Sequence, residues 1–380
     1  MKKRIALDQI TAGSRFSADV YIDEKNLLVP AKIPVKQKDL DVLKRWGVAF
    51  VTTEGEPLGE ESKATSESAE AASEALPQGF VGSRELYSRY SELVDGISQI
   101  FAKIRLGEAI EPKVVDQLSQ SLLKLVRDER DAVISSLLGS ETKAGDPARS
   151  GVNTAILSAV IGQTLRLPPY KLSYLATGAL LHDVGMLRLP DSIVKKEGAL
   201  SEDEAQKMRA HPLLSYRIIT KELLYPDDVG LIGLQHHERW DGEGYPRKTV
   251  GIEIDPLARI VSVADAFEAM VSVKPYRNSM MGYTAMKNLL SDNSRRFDPE
   301  ILKAFIKSMG IYPLGSTVLL NNAAIARVLE THAEAPLRPK LRLLVDEFGN
   351  HFEGEQGELL DLLEEKSLFI ARALDPKELS

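Results

Sequence analysis

Apolar residues recur along this chain at different periods, and the changes of period divide it into segments. Over residues 1–53 the repeats are short. Residues 17–22 predict a strand, 23–26 a turn and 27–29 the returning strand of a hairpin. Leu40, Leu43 and Trp46 share one face of a helix predicted over 38–46, which Gly47 ends, and 48–52 predict a further short strand. The result is a small α/β module with no catalytic constellation, suited to sensing, docking or packing.

The next segment, 54–80, loses its pattern. From Glu54 to Gln78 it holds seven glutamates and one lysine, with no Val, Ile or aromatic residue. Such a stretch cannot bury enough apolar surface to offset its ordering entropy, so it reads as a flexible acidic linker. Over 81–140 the period becomes helical. Leu86, Tyr90, Leu93, Ile97, Ile100 and Ile104 form one stripe that Gly107 ends. Val115, Leu118, Leu122, Leu125, Val133 and Leu137 form a second, after Pro112 and before Gly139. This helical hairpin either packs on the next domain or pairs with a second subunit. Residues 141–310 are mostly helical, with predicted helices over 152–167, 170–182, a stretch opened by the capping box Ser201–Glu204, one capped by Asp227 and Asp228, 256–272, and a last one through Met309. Residues 311–380 turn to strands, at 316–320, 324–329, 341–345 and 367–371, with Asn321-Asn322 as a tight turn. The expected fold is mainly α: a helical bundle with a small α/β module before it and a small β-rich appendage after it.

Composition narrows the function. The 380 residues are 43% hydrophobic and 27% charged, ordinary for a globular chain, and the net charge of −7 argues against binding nucleic-acid polymers. Cysteine is absent, which removes disulfides, thiolate metal sites and cysteine nucleophiles and suits a reducing compartment. No stretch approaches the roughly 20 apolar residues of a membrane span, and no signal peptide follows the basic start, so a cytoplasmic protein is expected.

The chemistry gathers between residues 180 and 246. Four of the six histidines lie there: His182, His211, His236 and His237, with Asp183 beside the first. A single histidine of this kind is more often a satisfied core residue or a helix-end cap. Four with an adjacent carboxylate favour a metal site held by imidazole and carboxylate. Asp183 has two oxygens and is able to bridge two ions. Asp265 lies among Val261, Val263, Ala264 and Phe267, where a carboxylate needs a partner, either a cation or a metal. If the helix unwinds after His236-His237, which the glycines of Asp241-Gly242-Glu243-Gly244 allow, both rings could face one ion. A two-metal site of this type suggests a hydrolase acting on a phosphoryl group. Lys274 and Arg277, with Tyr276 between them, offer cations for phosphates, although either alone is more often solvated surface charge.

Together, Leu181-His182-Asp183-Val184-Gly185, the run from Gln235 to Pro246, the run from Ala258 to Ala266, Pro275-Tyr276-Arg277 and Phe297-Asp298-Pro299-Glu300 resemble the HD-GYP family, a branch of the HD-domain metal-dependent phosphohydrolases, over roughly residues 146–315. The resemblance implies an all-helical HD domain with two divalent ions, iron or manganese, that hydrolyses cyclic di-GMP to pGpG or GMP, or acts on a related cyclic dinucleotide. It makes His182, Asp183 and Asp265 ligands of one metal, with Asp183 bridging to a second that His211, His236 and His237 complete. His182 and Asp183 are thereby placed at the reaction centre. It assigns Gly244, Tyr245 and Pro246 to substrate contacts and to signalling protein partners, and Lys274 and Arg277 to phosphates. A homodimer is compatible with it.

Several positions depart from the family pattern. Ser150 stands where the family carries a histidine ligand, and Met186 where it tends to carry a lysine near the attacked phosphate; Asp146 replaces a glutamate of three-metal members. Loss of one such electrostatic group costs about 10²–10³ in rate in other enzymes. Two functions follow: a cyclic di-GMP phosphodiesterase, slowed by these changes, or a regulatory protein that binds a cyclic dinucleotide or a protein partner without hydrolysing it.

Overall fold

The computed structural model describes parts of residues 3–58, and then 82–139, 146–196, 198–272, 282–291, 295–352, 354 and 356–374. Of the linker predicted over 54–80, residues 59–80 lie outside the described residues, while Pro57 and Leu58 form a short strand; the predicted turn at 23–26, Lys274 and Arg277 also lie outside them. The chain divides into two compact units, Met1–Ala75 and Leu76–Ser380.

The first unit holds β1 (Lys3–Ala6), β2 (Arg15–Phe16), β3 (Val20–Tyr21), β4 (Leu27–Val29), β5 (Phe50–Thr53) and β6 (Pro57–Leu58). Its sheet runs β1-β5-β3-β4, and β2 pairs separately with β6. Val20, Val29 and Val51 bury one face together with Leu40 and Leu43, the two described residues of the helix predicted over 38–46. The single strand expected over 17–22 is shorter, because residues 17–19 leave the extended ladder before Val20. The strands at either end of the module, β1 and β6, carry too little alternation to predict.

The second unit is helical. Its first helix, α1 (Arg84–Leu106), starts at Ser83, whose hydroxyl accepts from Leu86 N, and ends at Gly107, which supplies a left-handed φ of 73°. The second apolar stripe is two helices, α2 (Pro112–Asp128) and α3 (Arg130–Gly139), broken at Glu129. Both sides of the hairpin pack within the chain. The Tyr90 hydroxyl donates to Asn153 Oδ1 at 2.7 Å, and the hydroxyls of Ser119 and Thr177 lie 2.9 Å apart. The hub is α4 (Pro147–Thr164), buried almost throughout. Asp146 caps it by accepting from Ala148 N and Arg149 N. Against α4 pack α1, α2, α5 (Pro169–Leu181), α10 (Pro256–Val271) and α12 (Pro299–Met309). Between α5 and α10 the chain forms a 3-10 turn (Val184–Arg188), α6 (Asp191–Val194), α7 (Glu202–Met208), α8 (His211–Arg217), a π turn (Ile218–Glu222) and α9 (Asp227–Gln235); α11 (Gly282–Ser291) follows α10. The capping box of α7 forms as expected. Asp227 and Asp228 do not cap α9: the cap position is Pro226, and the two acids sit in the first turn, where they face the positive end of the helix dipole.

The C-terminal sheet has five described strands where four were expected, in the order β10-β9-β8-β7-β11 and antiparallel throughout: β7 (Thr317–Leu320), β8 (Ile325–Glu330), β9 (Lys340–Val345), β10 (Leu359–Asp361) and β11 (Ile370–Leu374). The turn at Asn321 takes in a third residue, Ala323, at φ 70°. Among the described residues, no helix is long and apolar enough to cross a membrane.

Candidate metal centre

Helix α5 ends at Leu181, and His182 is its cap. Helix α9 ends at Gln235, and His236 and His237 follow in a turn. His211 opens α8. Three chain segments thus present imidazoles where a helix starts or stops, and backbone carbonyls are free there to receive a ring proton. His182 Nδ1 donates to Ala179 O at 2.7 Å, His211 Nδ1 to Met208 O at 2.8 Å, and His236 Nδ1 to Gly233 O at 3.0 Å. Each bond fixes the ring's tautomer and turns Nε2 inward.

The inward atoms converge on Asp183. Its Oδ1 is 3.1 Å from His211 Nε2 and 3.4 Å from His236 Nε2, and its Oδ2 is 3.5 Å from His182 Nε2. Ligand atoms of Asp183, His211, His236 and His237 all lie within 4.8 Å of one another. On the other side Asp265, midway along α10, brings Oδ1 to 3.6 Å from His182 Nε2. The ring centroids of His236 and His237 are 4.1 Å apart. Four of these atoms, Nε2 of His182, His211 and His236 and Oδ1 of Asp183, are buried without a hydrogen-bond partner. Leaving one such atom unsatisfied is costly, and four facing one another fit a divalent cation. The donor set, imidazole and carboxylate, suits such an ion.

Protonation follows the same geometry. Burial pushes His236 down, and burial together with the neighbouring His236 pushes His237 well down, so both rings are neutral and have a lone pair to offer. Burial also disfavours the charged form of His182, but Asp183 and Asp265 outweigh it and raise its pKa to about 9. Burial opposes ionisation of Asp183, and the imidazoles of His182 and His211 overcome it and hold the carboxyl well below the usual range. Asp265 is lowered too, burial being outweighed by His182.

Glycines make the approach of these segments feasible. A Cβ on Gly185 would stand 2.1 Å from His211 O and 2.5 Å from Ser215 N, so only glycine lets the turn after Asp183 lie against α8. Its N–H donates to Ser215 Oγ at 2.9 Å. A Cβ on Gly244 would stand 2.4 Å from Arg239 N and 2.6 Å from Glu238 Cα. Gly244, Tyr245 and Pro246 therefore fold back over the end of α9: Tyr245 N donates to His237 O at 3.2 Å, and its ring lies 4.8 Å from that of His237. Pro246 is exposed and follows a cis peptide bond.

Sequence reasoning missed the residues that hold this loop. Glu238 is buried and accepts from Arg247 N at 2.7 Å and Thr249 N at 3.1 Å. The backbones of Arg295 and Arg296 accept from Asp241 N and Trp240 N. A charged residue after two histidines gives no hint of burial, and the arginine contacts span more than fifty residues. Ser150 does not point a free hydroxyl at the metal cluster. It donates to Glu268 Oε2 at 2.8 Å, and Glu268 also accepts from Ser272 at 2.6 Å and Asn153 at 3.4 Å. Met186 is half-buried in the 3-10 turn.

Residues 125–301 match the HD domain family and residues 317–380 match a KOW domain associated with HD domain. The chain is 30% identical over 251 residues to cyclic di-GMP phosphodiesterase PA4108 of Pseudomonas aeruginosa, covering 65% of this chain and 59% of the relative; it thus spans about three-fifths of that protein. It is 24% identical over 352 residues to cyclic di-GMP phosphodiesterase PdeB of Borreliella burgdorferi, covering 93% of this chain and 88% of the relative. Among solved structures, Bd1817, a HDG"Y"P protein from Bdellovibrio bacteriovorus, is similar with a TM-score of 0.48 at 16% identity, over 80% of this chain and 98% of that one.

Proposed function

We propose that the chain belongs to the HD-GYP branch of the HD-domain family and is a phosphodiesterase that hydrolyses cyclic di-GMP to pGpG or GMP, with iron or manganese. One observation carries the reading: four buried ligand atoms, from His182, Asp183, His211 and His236, face one another with no hydrogen-bond partner. In this reading His182, Asp183 and Asp265 would hold one divalent ion, and Asp183, His211, His236 and His237 would hold a second. When bound, such a pair of ions activates a water and neutralises charge on the phosphoryl group. The chain's own residues do the rest. The carbonyls of Ala179, Met208 and Gly233 keep three imidazoles aimed inward. Asp183, with its side chain 38% exposed, is the part of the cluster that a phosphodiester reaches from solvent. Tyr245 and its loop form a wall beside His237. Lys274 and Arg277 take the phosphate contacts that the family resemblance assigns to them. The absence of cysteine suits the cytoplasm, where a dinucleotide messenger would be read.

The Ser150–Glu268 bond favours a second reading, a protein that holds the dinucleotide without cutting it, because this hydroxyl is already engaged at the position of a family ligand. Incubating iron- or manganese-loaded protein with cyclic di-GMP and following pGpG and GMP decides between the two. Product formation that chelation abolishes supports the phosphodiesterase. Measurable binding with no product under either metal overturns it.

A further inference from the structure

One guanidinium group faces the ring that borders the metal cluster, and a second belongs to the segment that ties down the loop carrying that ring. Arg209 caps α7, two residues before His211, and its Cζ lies 5.8 Å from the centroid of the Tyr245 ring. Arg296 rests on Phe297 at 5.0 Å, and its carbonyl ties down Trp240 in the Tyr245 loop at 2.9 Å. Both side chains are exposed, and among the described residues neither pairs with a carboxylate. Other arginines of this domain do pair: Arg188 with Glu222, Arg239 with Asp241, and Arg259 with Asp298.

We propose that Arg209, with Arg296 on the segment that ties down the Tyr245 loop, binds the phosphate of the cyclic dinucleotide that is not being cut. This rests on the phosphodiesterase reading above. The chemistry calls for such a group. A cyclic dinucleotide carries two phosphodiester anions, and the metal cluster engages one. Lys274 and Arg277 serve the phosphates in the reading above, Met186 brings no cation, and Arg209 supplies a further one on the Tyr245 side of the cluster. A planar guanidinium presents two parallel N–H donors to phosphate oxygens, and stacking against Tyr245 holds it oriented before the ligand arrives.

The test uses the full chain, loaded with metal and assayed for metal content in every variant. KM and kcat are measured for cyclic di-GMP and for bis(4-nitrophenyl) phosphate, which has one phosphodiester, and cyclic di-GMP binding is measured directly by calorimetry. Arg209→Ala is expected to raise KM and Kd for cyclic di-GMP roughly ten- to hundredfold, the range for a hydrogen bond to a charged group. The loss for the single phosphodiester should be at least tenfold smaller. Arg209→Lys should fall between, since it keeps the charge and loses the fork, and Arg209→Ala/Arg296→Ala should exceed the single variant. Equal losses for both compounds, or KM and Kd within twofold of the parent in the double variant, would overturn the assignment while leaving the phosphodiesterase intact. If the parent binds but does not cut, the catalytic reading fails and the Kd ratio still decides this one. If the metal-loaded parent neither binds nor cuts, both fail.

Discussion

The hydroxyl of Ser150 donates to Oε2 of Glu268 at 2.8 Å, joining the start of the hub helix to the helix that carries Asp265. Glu268 follows Asp265 by three residues, so both carboxylates lie on one side of α10. A carboxylate held one turn from a metal ligand is what a neighbouring histidine ligand would need to orient it.

Ser150→His is therefore expected to add a ligand to the His182 side of the cluster, with Glu268 accepting the far ring proton. Metal content should rise, and turnover of cyclic di-GMP should increase by about tenfold or more, the inverse of losing one electrostatic group. Elemental analysis and initial rates on the same sample check this. Unchanged or lower metal content would sink it.

Glu268→Ala should be strongly destabilising. It removes the common acceptor of Ser150, Asn153 and Ser272 from a site 2% exposed. Buried donors left unpaired cost about 1–3 kcal/mol each, so a loss of about 3 kcal/mol is expected by urea denaturation, against about 1 kcal/mol for Glu268→Gln. Equal effects of the two variants would contradict the network.

Gly185→Ala should damage metal binding through packing alone. The new Cβ meets His211 O at 2.1 Å, and backbone cannot yield as a flexible side chain can. Overpacking of this kind costs about 1–3 kcal/mol, and moving α8 carries His211 away from Asp183. A drop in melting temperature should accompany a lower metal affinity. Normal affinity in a destabilised protein would show that His211 does not depend on this approach.

The pH dependence of metal uptake follows from His182. Its pKa is raised to about 9 because Asp183 and Asp265 outweigh the effect of burial, so below that pH a metal must displace its proton. Apparent affinity should climb about tenfold per pH unit from 7 and level off near 9. For the metal-free protein the sign reverses. A raised folded-state pKa contributes stability that is complete below about pH 6.5 and is lost as pH rises through about 9. The melting temperatures of metal-free and metal-loaded protein should therefore diverge between pH 6 and 9. Divergence in the other direction would mean that His182 is not protonated in the free site.

Much of the fold was legible because its signals are local. The stripe from Leu86 to Ile104 and the Gly107 stop describe α1 within a residue or two, and the Ser201 capping box marks α7. The same locality explains the misses. Glu129 breaks the second stripe without interrupting its apolar period, so α2 and α3 read as one helix. Asp227 and Asp228 look like caps until the side chains find no cap bond.

The candidate ligands stood out as a composition anomaly: four of six histidines within 67 residues, with Asp183 adjacent. Residue type alone determines which groups are able to bind a metal, and it determined the absence of thiolate and the helical frame. Tertiary structure decided what those groups face. Asp265 reaches His182 across 83 residues, Glu268 takes up Ser150 across 118, and Arg209 finds the Tyr245 ring across 36. A period of 3.6 or 2 says which side of an element is buried, but not which other side meets it. Those meetings depend on close backbone approach at Gly185 and Gly244 and on the burial that leaves four ligand atoms without a partner.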